Sequence, residues 1–393
     1  MVILFVAPFL RVKGENPKGG GLEAYLFRVA GALDQLGHKP IILSLGKRNM
    51  HYTEDKIEFY FIKYSGAHFG TETFKLICNR LSQSRAINKK IKELVRERQI
   101  DIIQFASIFG LATCYFDRTP AVMRLSGYAK TYYSGYQDFS RRQLYIWALF
   151  ERLAARRCNA VFAPSEIIAN AFSKDIHRAV SVIESPFWDD SKVHDNSLYK
   201  EKLSGKKYFL FIGRLDYEKG ILQLAEILEA FLYTHQEYFF VCCGEKGTIN
   251  GKNSLRILAD AMGKDKARFI YMKPLPHETL YPIIQHADFV VFPSIMDNLS
   301  NACMEAMYFE RVVIGTDGTS YEQLIEDGKS GLLCMPGNAK SLLGKMNEAA
   351  AMSVAEKFVM GIAARKRIDQ LAPDIVVKKL LRFYQYIITN MRK

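Results

Sequence analysis

The sequence predicts an α/β protein with two doubly wound parallel-sheet domains, and three observations support this prediction. The chain has 393 residues, more than one small domain needs. In both halves, short apolar, β-branched or aromatic runs alternate with longer helical patterns, as in β-α-β units around a parallel sheet. A polar stretch with a proline, residues 184–192, separates the halves. We therefore expect one domain at residues 1–190 and a second at residues 191–373.

The short apolar segments are the strands that we expect in these two sheets. Beyond Pro373 an apolar stripe predicts an amphipathic terminal helix, and we expect residues 374–393 to join the first domain. The stripe consists of Val376, Leu380, Phe383, Ile387 and Met391. The expected strands are residues 2–6, 41–45, 57–62, 102–105, 121–125, 160–163, 208–212, 238–243, 268–271, 289–292, 312–314 and 331–333.

The charge of the chain predicts an anionic partner. There are 54 Lys and Arg against 41 Asp and Glu, a formal net charge of +13. Residues 1–190 alone carry 27 basic and 18 acidic side chains, so the first half is the more basic one. Nucleic acid, an anionic bilayer and a phosphorylated small molecule all satisfy such a field, and net charge does not choose among them.

The cysteines and the apolar runs favour a cytoplasmic location. Seven cysteines occur without any C-x-x-C spacing, and they indicate buried thiols in a reducing compartment. The opening apolar run lacks a basic start and contains Pro8, so we expect a buried strand and no signal peptide. No window reaches the roughly 18 apolar residues of a membrane-spanning helix. A peripheral position on the inner face of the membrane is the alternative location.

Two glycine-containing loops are candidate anion sites. Gly20 and Gly21 follow the first strand and open a helix, where backbone N–H groups approach an anion closely and the helix dipole favours its charge. The alternative is an ordinary flexible loop. In the second half, Gly213 ends a strand, and Arg214 and Lys219 then stand where two cations converge on one diphosphate. The alternative is a pair of solvated charges.

The third motif follows the strand that ends at Pro293. Apolar positions at helical spacing predict a helix from about Asn298, which puts Asp297 at or beside its N-cap. A capping role alone explains Asp297, but it does not explain Glu305, a carboxylate two turns into the helix. A ligand with hydroxyl groups explains Glu305. The backbone N–H groups of Leu299, Ser300 and Asn301 offer a second anion site.

Metal and cofactor motifs are missing from the sequence. No H-x-x-x-H pair and no metal-binding cysteine spacing occur. No Asp-x-Asp pair is present to hold a divalent ion on a nucleotide diphosphate. We therefore expect no metal and no cofactor, with side-chain cations and backbone amides meeting any diphosphate charge.

Taken in order, these motifs resemble those of retaining glycosyltransferases of the GT-B fold, family four. The resemblance covers most of the chain: Gly20-Gly21-Leu-Glu23, Leu36-Gly37-His38, Gly213-Arg214-Leu with Lys219-Gly220, Ala287-Asp288 through Pro293-Ser294, and Glu305-Ala-Met. It implies two Rossmann-like domains that face each other across a donor-acceptor cleft. It also implies a nucleotide-sugar donor, UDP-linked in most cases with GDP and ADP left open, and front-face transfer in which the leaving diphosphate takes the acceptor proton.

The resemblance assigns roles to the candidate residues. The family's E-x7-E pair is here Asp297 and Glu305, so the first carboxylate is one methylene shorter; it lies near the donor sugar, and Glu305 holds the ribose. We expect catalytic roles for Arg214, Lys219 and Asp297. The expected donor-binding residues are Gly20, Gly21, Gly213, Leu275, Asn298, Leu299, Ser300, Asn301 and Glu305.

The acceptor is expected on the first domain, where the chain departs from the family. Gln104-Phe-Ala106 and Arg124-Leu-Ser126-Gly127 replace the family's histidine motifs. A phosphate and a sugar ring of the acceptor could be bound by Arg124 together with a tyrosine cluster, Tyr128, Tyr132, Tyr133 and Tyr136. The alternative is that these residues only pack in the core or in a loop. Two basic helices are expected to lie on an anionic bilayer, or else to be solvated faces. Their residues are Lys89, Lys90, Lys92, Arg96 and Arg98, and Arg141, Arg142, Trp147, Phe150, Arg152, Arg156 and Arg157.

We therefore expect a retaining hexosyltransferase of cell-surface polysaccharide, lipopolysaccharide or glycolipid synthesis, with a glycan or lipid-linked acceptor. One alternative is a catalytically silent GT-B protein that binds a nucleotide-sugar or glycan as a sensor or scaffold. A sugar-nucleotide epimerase of the same architecture fits the motifs less well. A nucleic-acid binder explains the charge but none of the three loops, so we expect no nucleic-acid partner.

Overall fold

The chain forms two α/β units in the computed structural model, which describes residues 1–10, 20–64, 66, 70–132, 140–189, 191 and 193–391. The first unit comprises Met1–Pro186 with Pro373–Lys393, and the second comprises Phe187–Ala372. The sequence predicts domain boundaries at residues 190 and 373. In the structure the chain passes from the first unit to the second after Pro186, a few residues before the predicted boundary.

The first unit is built on a sheet that has eight strands among the described residues, in the order β3-β4-β2-β1-β5-β6-β7-β8. Each pair is parallel except β3 and β4. The strands are β1 Val2–Ala7, β2 Lys39–Gly46, β3 Met50–Glu54, β4 Ile57–Lys63, β5 Ile102–Ala106, β6 Ala121–Arg124, β7 Ala160–Ala163 and β8 Ser181–Val182.

The antiparallel strand β3 was not among the expected strands. It joins β4 through a two-residue turn at Asp55 and Lys56, with φ of 46° and 63°. Turns of this type favour Asn-Gly or Asp-Gly, because both residues need positive φ. A lysine at the second position removes that signal, so the hairpin was not visible in the sequence.

The second unit has a parallel sheet in the order β13-β10-β9-β14-β15-β16 and a small hairpin, β11-β12. The prediction of parallel α/β sheets is confirmed for both units. The strands are β9 Lys207–Ile212, β10 Tyr238–Cys243, β11 Thr248–Ile249, β12 Lys252–Asn253, β13 Phe269–Met272, β14 Phe289–Val291, β15 Val312–Thr316 and β16 Leu332–Cys334.

The helices flank these sheets. None of the described helices combines the length and the apolar content that crossing a membrane requires. The helices are α1 Gly21–Gln35, α2 Glu72–Glu97, α3 Ala129–Tyr132, α4 Arg141–Arg157, α5 Glu166–Ile176, α6 Ser197–Lys202, α7 Ile221–Thr234, α8 Ser254–Ala261, α9 His277–Gln285, α10 Asn301–Tyr308, α11 Ala339–Ala351, α12 Val354–Asp369 and α13 Pro373–Met391.

The terminal helix α13 packs on α1 of the first unit. Its buried face includes Val376, Leu380 and Ile387, as the apolar stripe predicts, and also Tyr384. The Tyr384 hydroxyl donates to Gln104 Oε1 at 2.5 Å. Met391, the last residue of the predicted stripe, is 42% exposed.

A ladder of phenylalanines fixes the register of the second sheet. Phe269, Phe240, Phe209 and Phe289 are direct partners on the adjacent strands β13, β10, β9 and β14. Their rings stack in sequence with centroid distances of 5.2, 4.9 and 5.6 Å. Cross-strand aromatic pairs stabilise a sheet, and a slip by one residue would turn each ring to the other face. The ladder thus aligns the carboxyl ends of these strands.

Substituting the centre of this ladder tests its contribution. Phe209→Ala removes a fully buried ring and leaves a cavity, so we expect a loss of about 3–5 kcal/mol in the free energy of unfolding. The measurement is denaturant unfolding. Phe239→Ala is the control, because it is the same substitution on the neighbouring strand β10 at a partly exposed position. Equal losses in the two variants would contradict the role of the ladder.

Candidate functional site

The candidate site of the second unit lies at the carboxyl edge of its sheet. Strand β9 pairs in parallel with β10 on one side and with β14 on the other, so the chain leaves β9 at the point where the strand order reverses. Ligands of open α/β sheets bind at such a point. The loops that follow β9 and β14 carry Arg214, Lys219 and Asp297.

Two glycines let the loop after β9 approach its neighbours closely: Gly220 faces the loop after β14, and Gly244 follows β10. Gly220 has φ 72°, and a Cβ there would lie 1.9 Å from the Pro293 carbonyl oxygen. Gly244 has φ 157°, and a Cβ there would lie 1.7 Å from the Gly213 carbonyl oxygen. Any other residue at either position would push the loops apart. The Ile295 N–H donates to the Glu218 carbonyl at 2.8 Å and ties the two loops together.

Lys219 and Asp297 form an ion pair across these loops. The Lys219 Nζ lies 2.6 Å from Asp297 Oδ2, and Asp297 is 6% exposed. The Tyr321 hydroxyl donates to the same oxygen at 2.9 Å, and the Asn298 N–H donates to Oδ1 at 2.9 Å. Burial, followed by the charge of Asp297, raises the pKa of Tyr321, which keeps its hydroxyl a donor. The carboxylate is therefore held from three sides.

The expected helix start near Asn298 is wrong. Helix α10 begins at Asn301, and Ser300 is its N-cap, with the Ser300 hydroxyl accepting from the Cys303 N–H at 3.3 Å. Asp297 does not cap this helix, because its carboxylate is engaged by Lys219 and Tyr321. The segment from Asn298 to Ser300 thus forms the approach to the helix, and Leu299 is its half-buried middle residue.

Glu305 and Leu275 both act on the Cys243 thiol. Glu305 is 5% exposed, and its Oε1 is 3.5 Å from His277 Nε2. The His277 ring stacks on Tyr281 with a centroid distance of 5.0 Å. Burial raises the pKa of the Cys243 thiol to about 12; a hydrogen bond from the Leu275 backbone opposes the shift and the charge of Glu305 adds to it. The Leu275 backbone therefore contacts Cys243, and Glu305 lies near enough for its charge to act on the thiol. No sequence motif pointed to His277.

Arg214 stands at the exposed side of the same cluster. Its side chain is 55% exposed, and its Nη2 lies 3.0 Å from Asp216 Oδ2 and 3.8 Å from Glu218 Oε2. Asp216 also accepts from the Lys219 N–H at 3.2 Å and so caps the short turn Tyr217–Lys219. Each cation expected to meet a diphosphate is thus held by a carboxylate, Arg214 by Asp216 of its own loop and Lys219 by Asp297 of the loop after β14.

Glu218 is a site residue that the sequence did not reveal. In the sequence it is only an acidic neighbour of Lys219, but in the structure it is 3% exposed. Among the described residues, neither of its carboxyl oxygens has a hydrogen-bond partner. Burial, followed by the charge of Asp216, raises the pKa of Glu218 to about 8. No motif signals this, because burial of a loop carboxyl depends on the tertiary packing of both loops.

The remaining candidates belong to the first unit. Gly20 is the N-cap of α1, with φ −87° and open space where a Cβ would stand, and Gly21 is the exposed first residue of that helix. Their backbone conformation therefore does not require glycine. Glu23, two residues on, is 7% exposed.

The structure does not support sugar stacking by Tyr128. Tyr128 is 1% exposed, packs edge-on against Phe172 with a centroid distance of 4.9 Å, and its hydroxyl bonds to Asp175. A ring enclosed in this way has no free face for a sugar. Tyr133 and Tyr136, and the side chain of Tyr132, lie outside the described residues.

Arg124 is a buried cation. It is 5% exposed, and its guanidinium lies 3.7 Å from the centre of the Tyr25 ring. It donates to Ser185 at 2.9 Å and to Ser126 at 3.3 Å, and burial lowers its pKa. These contacts favour the packing alternative over a phosphate site.

The basic helices correspond to α2 and α4, but the expected aromatic surface of α4 is wrong. Phe150 is 5% exposed and Trp147 packs against the core, so both rings point inward because they complete the apolar face of the helix. Of the cations that we expected on these helices, the exposed ones are Lys89, Lys92, Arg96, Arg98, Arg141, Arg142, Arg156 and Arg157.

Two strained phenylalanines also escaped prediction. Phe9 follows β1 with φ 38°, and Phe109 follows the neighbouring strand β5 with φ 68°. Their rings meet edge to face at 6.0 Å, and the Arg80 guanidinium lies 3.6 Å from the centre of the Phe109 ring. Bulky residues at positive φ are rare and often mark functional sites.

The part of the chain that the structure describes contains no group of three or more His, Cys, Asp or Glu able to hold a metal.

The sequence matches two family models in succession. Residues 19–186 match the model described as Glycosyltransferase Family 4, and residues 195–367 match the model described as Glycosyl transferases group 1. Among curated proteins, the chain is 24% identical over 248 residues to an alpha-D-kanosaminyltransferase of Streptomyces kanamyceticus, covering 58% of this chain and 62% of that protein. The chain spans about half the length of the curated relatives it matches.

Solved structures share the fold over nearly the whole chain. Sucrose-phosphate synthase of Thermosynechococcus elongatus matches with a TM-score of 0.79 and 14% identity, over 99% of both chains. The HepE protein of Anabaena, solved in complex with UDP and glucose, matches with a TM-score of 0.70 and 16% identity, over 98% of this chain and 100% of the other. At these identities the likeness shows the fold.

The hydrogen bond between Tyr321 and Asp297 permits a test of the site's construction. Tyr321→Phe removes only the hydroxyl, and we expect a loss of about 1.5–3 kcal/mol in the free energy of unfolding, the range for a bond to a charged group. The measurement is the thermal midpoint. Tyr233→Phe, at a 67% exposed position of the same unit, is the matched control. If both variants melt with the wild-type protein, the bond contributes nothing to stability.

Proposed function

Because the chain belongs to the group 1 glycosyltransferases of the GT-B fold, we propose that it moves a sugar from a nucleotide-sugar to a glycan or lipid-linked acceptor. One observation carries the proposal: the loops after β9 and β14 bring Arg214, Lys219 and Asp297 together at the point of strand reversal. The reaction's hardest step leaves negative charge on a diphosphate. Cations held in place beforehand stabilise that charge without reorganisation.

The proposed donor is a UDP-sugar bound to the second unit. Glu305 would accept hydrogen bonds from the ribose hydroxyls, and the backbone at Leu275 would contact the base. The Leu275 backbone hydrogen bond to the Cys243 thiol and the effect of the Glu305 charge on the same thiol support this assignment. The complex of HepE with UDP and glucose supports UDP over GDP and ADP.

The proposed chemistry is a front-face displacement that retains the anomeric configuration. The bond between the anomeric carbon and the diphosphate oxygen breaks, and the diphosphate keeps the electron pair. The acceptor oxygen forms the new bond to the anomeric carbon, and its proton passes to the departing diphosphate. Arg214 and Lys219 would stabilise the charge on the leaving group, and the N–H groups of residues 299–301 would add to it.

We propose that the shorter carboxylate at position 297 works through Lys219. Asp297 lies 2.6 Å from the lysine ammonium and is held by Tyr321, so it fixes where the cation stands before a donor binds. A bound diphosphate would then compete with Asp297 for the same ammonium group. On this view the role of Asp297 is to position Lys219. Direct contact with the donor sugar, which the resemblance implies for this carboxylate, is then less important.

The acceptor side of the proposal rests on the first unit. Exposed cations on α2 and α4 suit a phosphorylated or lipid-linked acceptor and contact with an anionic membrane surface. Such acceptors are those of cell-surface polysaccharide, lipopolysaccharide and glycolipid synthesis. The strained pair Phe9 and Phe109 offers an apolar surface at the carboxyl ends of two paired strands.

Nucleotide binding is tested by a thermal-shift screen across UDP-, GDP- and ADP-sugars. A ligand that binds only the native state raises the melting temperature. At a hundredfold excess over its dissociation constant, it adds about 2.7 kcal/mol to the free energy of unfolding. We expect UDP-sugars to give the largest shift. We also propose that no metal is required, so the shift should persist in EDTA. If no nucleotide-sugar shifts the midpoint, the proposed function is wrong.

Transfer itself is tested on the two cations. Arg214→Ala and Lys219→Ala should each lower kcat by roughly two orders of magnitude, the scale of losing one donor to a developing anion. Lys329→Ala is the control, because Lys329 is an exposed lysine of the same unit paired with Glu326. Release of the nucleoside diphosphate and of transferred sugar is measured together. Wild-type turnover in either cation variant contradicts the assignment, and binding without transfer favours a sensor.

A further inference from the structure

Glu218 is a buried carboxyl group that the proposed reaction does not use. It lies in the turn Tyr217–Lys219, is 3% exposed, and its two oxygens find no hydrogen-bond partner within the described part of the chain. Buried polar groups are nearly always paired, and an unpaired carboxylate carries a large desolvation cost. The position is therefore one where the neutral acid is favoured.

The charged groups around Glu218 come from three segments. Asp216 and Lys219 belong to its own turn, Arg214 to the preceding loop, and Asp297 to the loop after β14. Burial and the two aspartates disfavour the ionised form, whereas Arg214 and Lys219 favour it. The result is a pKa of about 8, against an ordinary value of 4.5. Glu218 is mostly protonated at pH 7 and ionises as the pH rises through 8.

Ionisation of Glu218 changes the charge that the cluster presents. While Glu218 is protonated, the two cations are balanced by Asp216 and Asp297. An ionised Glu218 leaves one negative charge in excess. Its Oε2 lies 3.8 Å from the Arg214 Nη2, so the ionised form also provides a second carboxylate for Arg214 and draws that guanidinium inward.

We propose that Glu218 is a positioning residue whose proton governs how strongly Arg214 and Lys219 hold a nucleoside diphosphate. The protonated side chain leaves Arg214 to the ligand, and the ionised one competes for Arg214 and repels the diphosphate. This inference rests on the proposed function, since it concerns the same diphosphate site.

Proton linkage determines whether the affinity for a diphosphate rises or falls with pH. A bound diphosphate is a further anion near Glu218, so it raises the pKa of Glu218 above the free value of about 8. Between the free and the bound pKa, the complex holds a proton that the free protein lacks, so binding takes up a proton. Below about pH 7 both states are protonated and the uptake disappears. Affinity therefore falls as the pH rises, by up to about tenfold between pH 7 and pH 9.

The experiment is calorimetric titration of the full chain with UDP, GDP and ADP at pH 7.0 and pH 8.5. At each pH two buffers of different ionisation enthalpy are used, so that the number of protons taken up is measured directly. The wild-type protein should take up a large fraction of one proton at pH 8.5 and little at pH 7.0. Glu218→Gln is uncharged at both pH values and should show neither the uptake nor the loss of affinity. Glu229→Gln, at an exposed position of α7, should behave as the wild-type protein.

A second variant guards against misfolding of Glu218→Gln. Asp216→Asn keeps an oxygen to cap the turn but removes the charge that raises the pKa of Glu218, so the window of proton uptake should move to lower pH. A nucleotide that binds the wild-type protein with no uptake at pH 8.5, or uptake that survives in Glu218→Gln, overturns the inference and leaves the proposed function standing. If none of the three nucleotides binds at either pH, the proposed function falls first.

Discussion

The ion pair between Lys219 and Asp297 is the contact on which the arrangement of the second unit's site depends. It joins the loop after β9 to the loop after β14 at 2.6 Å, with both side chains largely buried. Breaking such a pair by removing one partner costs about 3–5 kcal/mol, because the other charge is left buried alone. Its geometry needs the close approach that Gly220 permits and the hydroxyl of Tyr321 that holds Asp297. The aromatic ladder of the sheet in turn sets the ends of the strands from which the loops depart.

This pairing also explains how a highly basic protein keeps cations ready without a ligand. Unpaired ammonium and guanidinium groups in a confined site would repel each other, whereas Arg214 and Lys219 each stand against an aspartate. A diphosphate then replaces a carboxylate as the partner of a cation, and no charge has to be desolvated alone at the moment of binding. The excess of positive charge on the first half of the sequence is a separate feature, spread over exposed faces of α2 and α4.

The sequence predicted most of the fold, because the signals of strands and helices are local. The strand at Ala160–Ala163 and that at Tyr238–Cys243 match their expected bounds, since buried apolar runs have clear ends. The hairpin at Asp55 and Lys56 was not predictable, as its turn lacks glycine. For the candidate site, the motifs pointed to Glu305 and to Arg214, Lys219 and Asp297, and the structure brings the last three together. They did not reveal that Tyr128 and Arg124 are buried, or that Ser300 caps α10 in place of Asp297, because burial and partner choice are set by residues far away in the chain.

Burial alone does not mark a functional carboxyl group, and the contrast between Glu151 and Glu218 shows why. Burial raises the pKa of Glu151 to about 8 as well, but its Oε2 accepts the Ala129 N–H at 3.0 Å, at the start of α3. Its proton therefore affects a helix end within the core of the first unit. Glu218 has no such partner among the described residues and stands beside an arginine that is half exposed. A change in its charge is felt by a group that reaches solvent, and thus by whatever anion that group binds.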